Sequence, residues 1–358
     1  MFFLITVLEP IAAQKIEQQE QDSIKNFKLS GFPVLFFLPE TGLGYGALGV
    51  ATFRFRDEPL NSRPSSAQLA FSFTTRKQLL IFAPYELYWD NEKWRLFGEL
   101  GYYKFFYNFF GVGINSQEGN FETYDVTFPR LRASLLREVY PKISIGAGYE
   151  LDIFSKLSFP DDGILDNSDV LGKAGGGTIS NLGFLIVYDS RDDIFQSTSG
   201  FFIQSSFFGG AGVLGSSFDY TRINIDARYY KKIKGAHSLA TNLFLSHSSE
   251  GTPFLSLNYL GNNKRTRGFD DRRYQDNSEL SFAAEYRFPI KGRFGGVAFA
   301  ASGTVAPDFA ELFATQFRSA AGVGLRYVIN KKDGIRLRAD YAISAEGGNF
   351  YFTVGESF

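Results

Sequence analysis

Residues 260–288 read L-G-N-N-K-R-T-R-G-F-D-D-R-R-Y-Q-D-N-S-E-L-S-F-A-A-E-Y-R-F, and the architecture turns on their second half. There Leu280, Phe282, Ala284, Tyr286 and Phe288 alternate with Glu279, Ser281, Ala283, Glu285 and Arg287. Side chains on a strand have period two, so the run has one apolar and one charged face. The first half is a polar, cationic loop centred on Arg267-Gly268-Phe269. What remains to be decided is whether the apolar face meets a protein core or lipid.

Composition points to lipid. The 358 residues hold 40 Phe, 19 Tyr and 37 Gly against one Met, and aromatic residues favour strands over helices. Mean hydropathy is only −0.12, and no apolar run reaches the length of a membrane helix. Strands that alternate between lipid and a wet lumen produce this combination, whereas a soluble β-sandwich is the rival reading. Lys and Arg number 37 against 38 Asp and Glu, a balance that argues against nucleic acid as a partner. With no cysteine and two histidines, neither a disulfide framework nor a thiolate or histidine-rich metal centre is expected, and no cofactor.

The same alternation recurs along the chain. Ile143, Ile145, Ala147, Tyr149, Leu151 and Ile153 oppose Lys142, Ser144, Gly146, Gly148, Glu150 and Asp152. Ile223, Ile225, Ala227 and Tyr229 oppose Arg222, Asn224, Asp226 and Arg228. Division at turn signals predicts sixteen strands, the first over 31–39 and the last over 348–358. Short connections alternate with long ones, notably 108–120, 156–177, 250–277 and 305–316. Bacterial barrels have short periplasmic turns and longer extracellular loops, so an even strand count and this parity support one another. The expected fold is all-β, a single 16-stranded antiparallel transmembrane barrel in a bacterial outer membrane. Residues 1–13 read as a signal-peptide remnant, with an apolar Phe2–Leu8 segment and Ala12-Ala13-Gln14 as the cleavage region. Residues 14–30 read as a periplasmic lead-in and 31–358 as the barrel.

Sixteen strands place Arg267-Gly268-Phe269 in the sixth extracellular loop, and there the chain resembles the BamA/TamA-like outer-membrane barrels, the bacterial surface antigen family. Further matches are Glu285-Tyr286-Arg287-Phe288-Pro289-Ile290, the turn from Asp189 to Gly200, and Gly334-Ile335-Arg336-Leu337-Arg338-Ala339-Asp340-Tyr341. Phe37-Leu38-Pro39-Glu40-Thr41-Gly42 looks like the short subset without POTRA domains. The resemblance implies a sixth loop folded into the lumen, with Arg267 as its anchor. Ala301 stands where the family usually carries the Asp that faces this arginine, which makes Glu285 the candidate substitute and Arg287 a further lumen candidate. Phe358 resembles the terminal aromatic of the barrel signal.

Function divides three ways on this reading. The resemblance implies membrane-protein assembly or translocation; a passive or loop-plugged pore is the alternative. The third is an outer-membrane phospholipase using the His247–Ser249 pair, in which a histidine would activate a serine hydroxyl. Expected partners are outer-membrane lipid and lipopolysaccharide, and other envelope proteins or a second copy of the chain. Gly44, Gly46 and Gly49 spell a dinucleotide fingerprint, but no helix follows them, so they read as small residues on a barrel strand. Asp161, Asp162, Asp166 and Asp169 fit no calcium-loop spacing and read as a solvated acidic loop.

Overall fold

The computed structural model describes residues 24–116, 119–193, 196–330 and 335–358. Its strands are β1 (Ile24–Leu38), β2 (Gly42–Phe55), β3 (Ser65–Thr74), β4 (Leu79–Trp89), β5 (Trp94–Phe109), β6 (Glu122–Tyr140) and β7 (Ile143–Phe154). Then come β8 (Lys156–Ser158), β9 (Gly177–Asp189), β10 (Gly200–Gly210), β11 (Tyr220–Lys234), β12 (His237–Ser248), β13 (Asn258–Leu260) and β14 (Tyr274–Asp276). The last five are β15 (Ser278–Lys291), β16 (Phe294–Ala306), β17 (Arg318–Asn330), β18 (Ile335–Ser344) and β19 (Gly347–Val354).

Each barrel strand pairs antiparallel with its neighbours, and β1 closes the ring against β19. Since β8 continues β7 along β6, and β13 with β14 forms a separate small sheet, the wall has 16 strands. Away from the β1–β19 seam the strands are laddered along their length, and the ring closes at that seam, as a β-structure in hydrocarbon requires.

The inside-out distribution of polarity decides between lipid and core. On β15, Phe282 is 49% exposed whereas Glu285 is fully buried. Tyr341 and Ile343 of β18 are likewise exposed, while Arg338 and Asp340 on its other face are buried. A soluble sheet would reverse this, because charged side chains are almost never buried unless paired. Phe184, Ile223, Leu243, Val323 and Phe350 extend the apolar exterior around the wall. The face assignments read from alternation therefore hold, and so does strand β2 across Gly44–Gly49.

Both termini depart from the sequence reading. Strand β1 starts at Ile24, so residues 24–30, expected to form a lead-in, belong to the wall and pair with β2. Strand β19 stops at Val354 rather than running to Phe358. Gly355 supplies a φ of 92°, and the tail beyond it leaves the ladder to meet inward-facing arginines. The expected signal peptide, 1–13, lies outside the described residues.

The long connections share one end of the barrel. There the segments 155–176 and 249–277 meet inward-facing wall residues in an apolar cluster that includes Phe109, Tyr124, Phe128, Leu165, Phe254 and Leu257. The Phe254 N–H donates to the Leu171 carbonyl at 3.0 Å, joining the two loops. The end that carries the long connections is thus lined by packed aromatic side chains.

Candidate functional site

The connection between β12 and β15 is a hairpin in its own right. Its stem is β13 against β14, in register from Asn258↔Asp276 to Leu260↔Tyr274, and its tip carries Arg267-Gly268-Phe269. Sequence alone predicts a long irregular loop over 250–277, because strands of three residues are too short to show a period.

Arg267 is 1% exposed. Its Nη2 donates to Glu285 Oε2 at 2.8 Å, and its Nη1 to Asp340 Oδ2. Glu285 and Asp340 sit on the inward faces of β15 and β18, so one guanidinium clamps two carboxylates from strands separated by β16 and β17. A planar fork with donors on two edges can do this; an ammonium cannot hold two carboxylates in a plane. The Arg267 guanidinium also lies 3.5 Å from the Phe299 ring centroid, a face-on contact that partly offsets its desolvation.

The carboxylates are shared further. Arg287 Nε donates to Glu285 Oε1 at 2.7 Å. Arg326 reaches Asp340, lies 3.6 Å from Glu285 Oε2, and donates through Nε to Glu356 at 2.8 Å. Arg336 meets the other oxygen of Glu356 at 2.8 Å, and Arg338 stands 3.5 Å from Asp340. Five arginines therefore surround three carboxylates. The surplus positive charge faces backbone carbonyls: Arg338 donates to Asn263, and Arg287 to Phe358 and Ser197. Gly324 makes the space, since a Cβ there would fall 2.0 Å from Asp340 Oδ1.

Gly268 is required for two reasons. Its φ is 108°, and a Cβ would lie 2.7 Å from that of Ala320. Its N–H donates to the Tyr351 hydroxyl at 3.0 Å, tying the tip to the last strand. Phe269 is buried with Ile114, Leu260, Tyr274 and Val305. Just beyond it, Glu40, in the β1–β2 turn, has its carboxyl pushed up to about 8 by burial and by the neighbouring Asp271 carboxylate. Burial pushes Asp271 up to about 6 as well, against the pull of Arg272.

Of the residues singled out by sequence, Arg267 and Glu285 are joined directly, and Arg287 is joined to Glu285. Ala301 is buried and faces Ala283 across the ladder. Phe358 contributes its carbonyl to Arg287, with its ring 6.0 Å from that guanidinium. Sequence reasoning misses Asp340, Arg326, Glu356 and Tyr351. Asp340 alternates with Arg336 and Arg338 on a strand that carries a family motif, and that shared parity is the signal available. Glu356 sits in the tail that leaves its strand, where period two gives no guidance.

The expected pairing of His247 with Ser249 does not form. His247 Nδ1 lies 2.8 Å from Ser278 Oγ, a fully buried hydroxyl. Ser249 instead accepts from the Thr221 N–H and donates to the Glu250 carbonyl.

Comparison with known proteins agrees with this architecture. A profile of the Omp85 superfamily domain matches residues 60–358. Among solved structures, BamA from Haemophilus ducreyi lacking POTRA domains 1–3 superposes with a TM-score of 0.60 at 17% identity, covering 95% of this chain and 71% of that one. CdiB from Acinetobacter baumannii gives 0.58 at 12% identity, covering 94% of this chain and 60% of that one. No curated protein matches in sequence.

Proposed function

The chain belongs to the Omp85 superfamily, an integral outer-membrane barrel, and from that premise we propose that it assembles or translocates polypeptide through the seam between β1 and β19. The seam's pairing carries this reading. Strand β1 follows β2 from Ile24↔Phe55 to Leu38↔Gly42, yet its register with β19 among the described residues is Phe37↔Phe352 alone. Pro33 lies on β1 and has no N–H to give a ladder, and Gly31 adds no side chain to pack. A wall this unevenly joined opens at its weakest pair first, exposing strand edges on which another chain can add by β-augmentation. The Arg267 network fits the same reading as a brace, because it fixes β15 and β18 to the loop and leaves the strain of opening to the seam.

A loop-plugged pore is the second reading, favoured by the polar inner wall and by the aromatic packing of the loops at one mouth. One double variant separates the two. The chain has no cysteine, so Phe37→Cys with Phe352→Cys introduces a single cross-strand disulfide. Proteoliposomes holding the reduced protein are expected to speed the folding of a urea-denatured outer-membrane barrel, and oxidation to abolish the effect until reductant restores it. No acceleration in either state, with a steady large conductance in planar bilayers, would sink the assembly reading and leave the pore.

A further inference from the structure

Cations are unevenly spread over the short-turn end of the barrel. The corner between β11 and β12 carries Lys231, Lys232 and Lys234, and that between β15 and β16 carries Lys291 and Arg293. Because β12 pairs with β15, ending near Ser238↔Arg287, the two corners are neighbours. All five side chains are exposed, and none makes an ion pair among the described residues; Arg293 has one hydrogen bond, to the Ile329 carbonyl at 3.3 Å. Neither corner, 231–236 or 290–294, contains an acidic residue.

The short connections 56–64 and 90–93 are different. In 56–64, Arg56 and Arg63 are offset by Asp57 and Glu58; in 90–93, Asp90 and Glu92 exceed Lys93. There the charges also pair, as in Arg63 with Glu92 at 3.3 Å. Among the described residues, these two adjacent corners form a cationic sector without an ion-paired counter-charge.

Its surroundings indicate what covers it. Ile233, Ile290 and Phe294 are exposed beside the cations and continue the outward apolar face. His237 and Tyr286 form a polar pair just above, with Nδ1 and the hydroxyl 2.7 Å apart. Apolar side chains facing sideways with amines at their margin suit a molecule whose chains lie along the wall and whose headgroup is anionic. A soluble acidic protein would leave Ile290 and Phe294 unused. Short turns face the periplasm. We propose that these two corners bind the phosphate of an anionic phospholipid in the periplasmic-facing leaflet, the electrostatic attraction adding to burial of the acyl chains.

The test is lipid selectivity at the protein surface. The protein is reconstituted in phosphatidylcholine bilayers with spin-labelled phosphatidylglycerol or phosphatidylcholine, and the motionally restricted fraction is read by electron spin resonance. Phosphatidylglycerol should be enriched about fivefold, the effect of roughly one basic side chain on one headgroup. High salt should reduce it, whereas inorganic phosphate at matched ionic strength should have no extra effect. Changing all five cations to Gln should bring the ratio to parity. Changing the four lysines to Arg, or Lys93→Gln with Lys142→Gln elsewhere on the rim, should preserve it. Heat-modifiable gel mobility checks folding of each variant. Equal restriction of the two lipids in the wild type, or a preference surviving the five-Gln change, overturns the proposal; the first result would favour an acidic protein as the partner.

Discussion

Glu285→Gln tests whether the arginine network behaves as a buried or a wet cluster. The substitution keeps the shape and an acceptor oxygen but removes the negative charge shared by Arg267, Arg287 and Arg326. Arg267 keeps Asp340, and Arg326 keeps Asp340 and Glu356. Arg287 keeps only the more distant Glu356 carboxylate and the main-chain oxygens of Ser197 and Phe358. The loss is therefore concentrated on Arg287, whose direct carboxylate contact is Glu285, amid a surplus of arginines. Breaking a buried pair from one side costs about 3–5 kcal/mol, against about 0.2–1 kcal/mol for an exposed pair. With a urea slope of about 3 kcal/mol per molar, the buried case lowers the unfolding midpoint by about 1–2 M. Intrinsic tryptophan fluorescence during urea unfolding in vesicles measures it directly. A drop worth less than about 1 kcal/mol would refute the reasoning, because water in the lumen would then be screening the pairs.

Three further outcomes follow from the same geometry. Arg267→Ala removes a cation from a cationic surplus and leaves each carboxylate partnered, so it should destabilise less than Glu285→Gln; single-channel recordings should show larger, steadier currents once the loop loses its clamp. Gly268→Ala forces a side chain into a φ of 108° and against Ala320, costing about 1–3 kcal/mol by the same urea assay. Glu40 has its folded pKa raised, so it contributes stability below its ordinary range that is lost as pH rises through about 8. The urea midpoint should fall between about pH 5 and pH 9 in the wild type, and fall less in Glu40→Gln; equal slopes would remove Glu40 from the account.

Much of the wall is legible in the sequence because period two is a local property. Phe282 against Glu285, or Tyr341 against Asp340, reports a face with no knowledge of what lies across the ladder. Strand bounds follow from turns such as Lys291-Gly292-Arg293, and most fall within a few residues of the observed ends. Sequence reading fails where alternation carries no polarity contrast. Residues 24–30 look solvated because Lys25, Asn26 and Lys28 outweigh Phe27 and Leu29, yet pairing with β2 makes them strand.

The site divides along the same line. By itself the chain determined the strand number, the lipid-facing surface, the alternation of long and short connections, and the motif that marks Arg267. Only the tertiary structure decided which carboxylates meet that guanidinium. Glu285 and Asp340 are brought together by ring closure and register across β15 to β18, which no residue between them specifies alone. The same holds for Glu356: its role depends on the tail leaving β19 at Gly355 and turning toward Arg326. Periodicity is written residue by residue, whereas pairing across a closed sheet depends on the free energy of every strand in the ring.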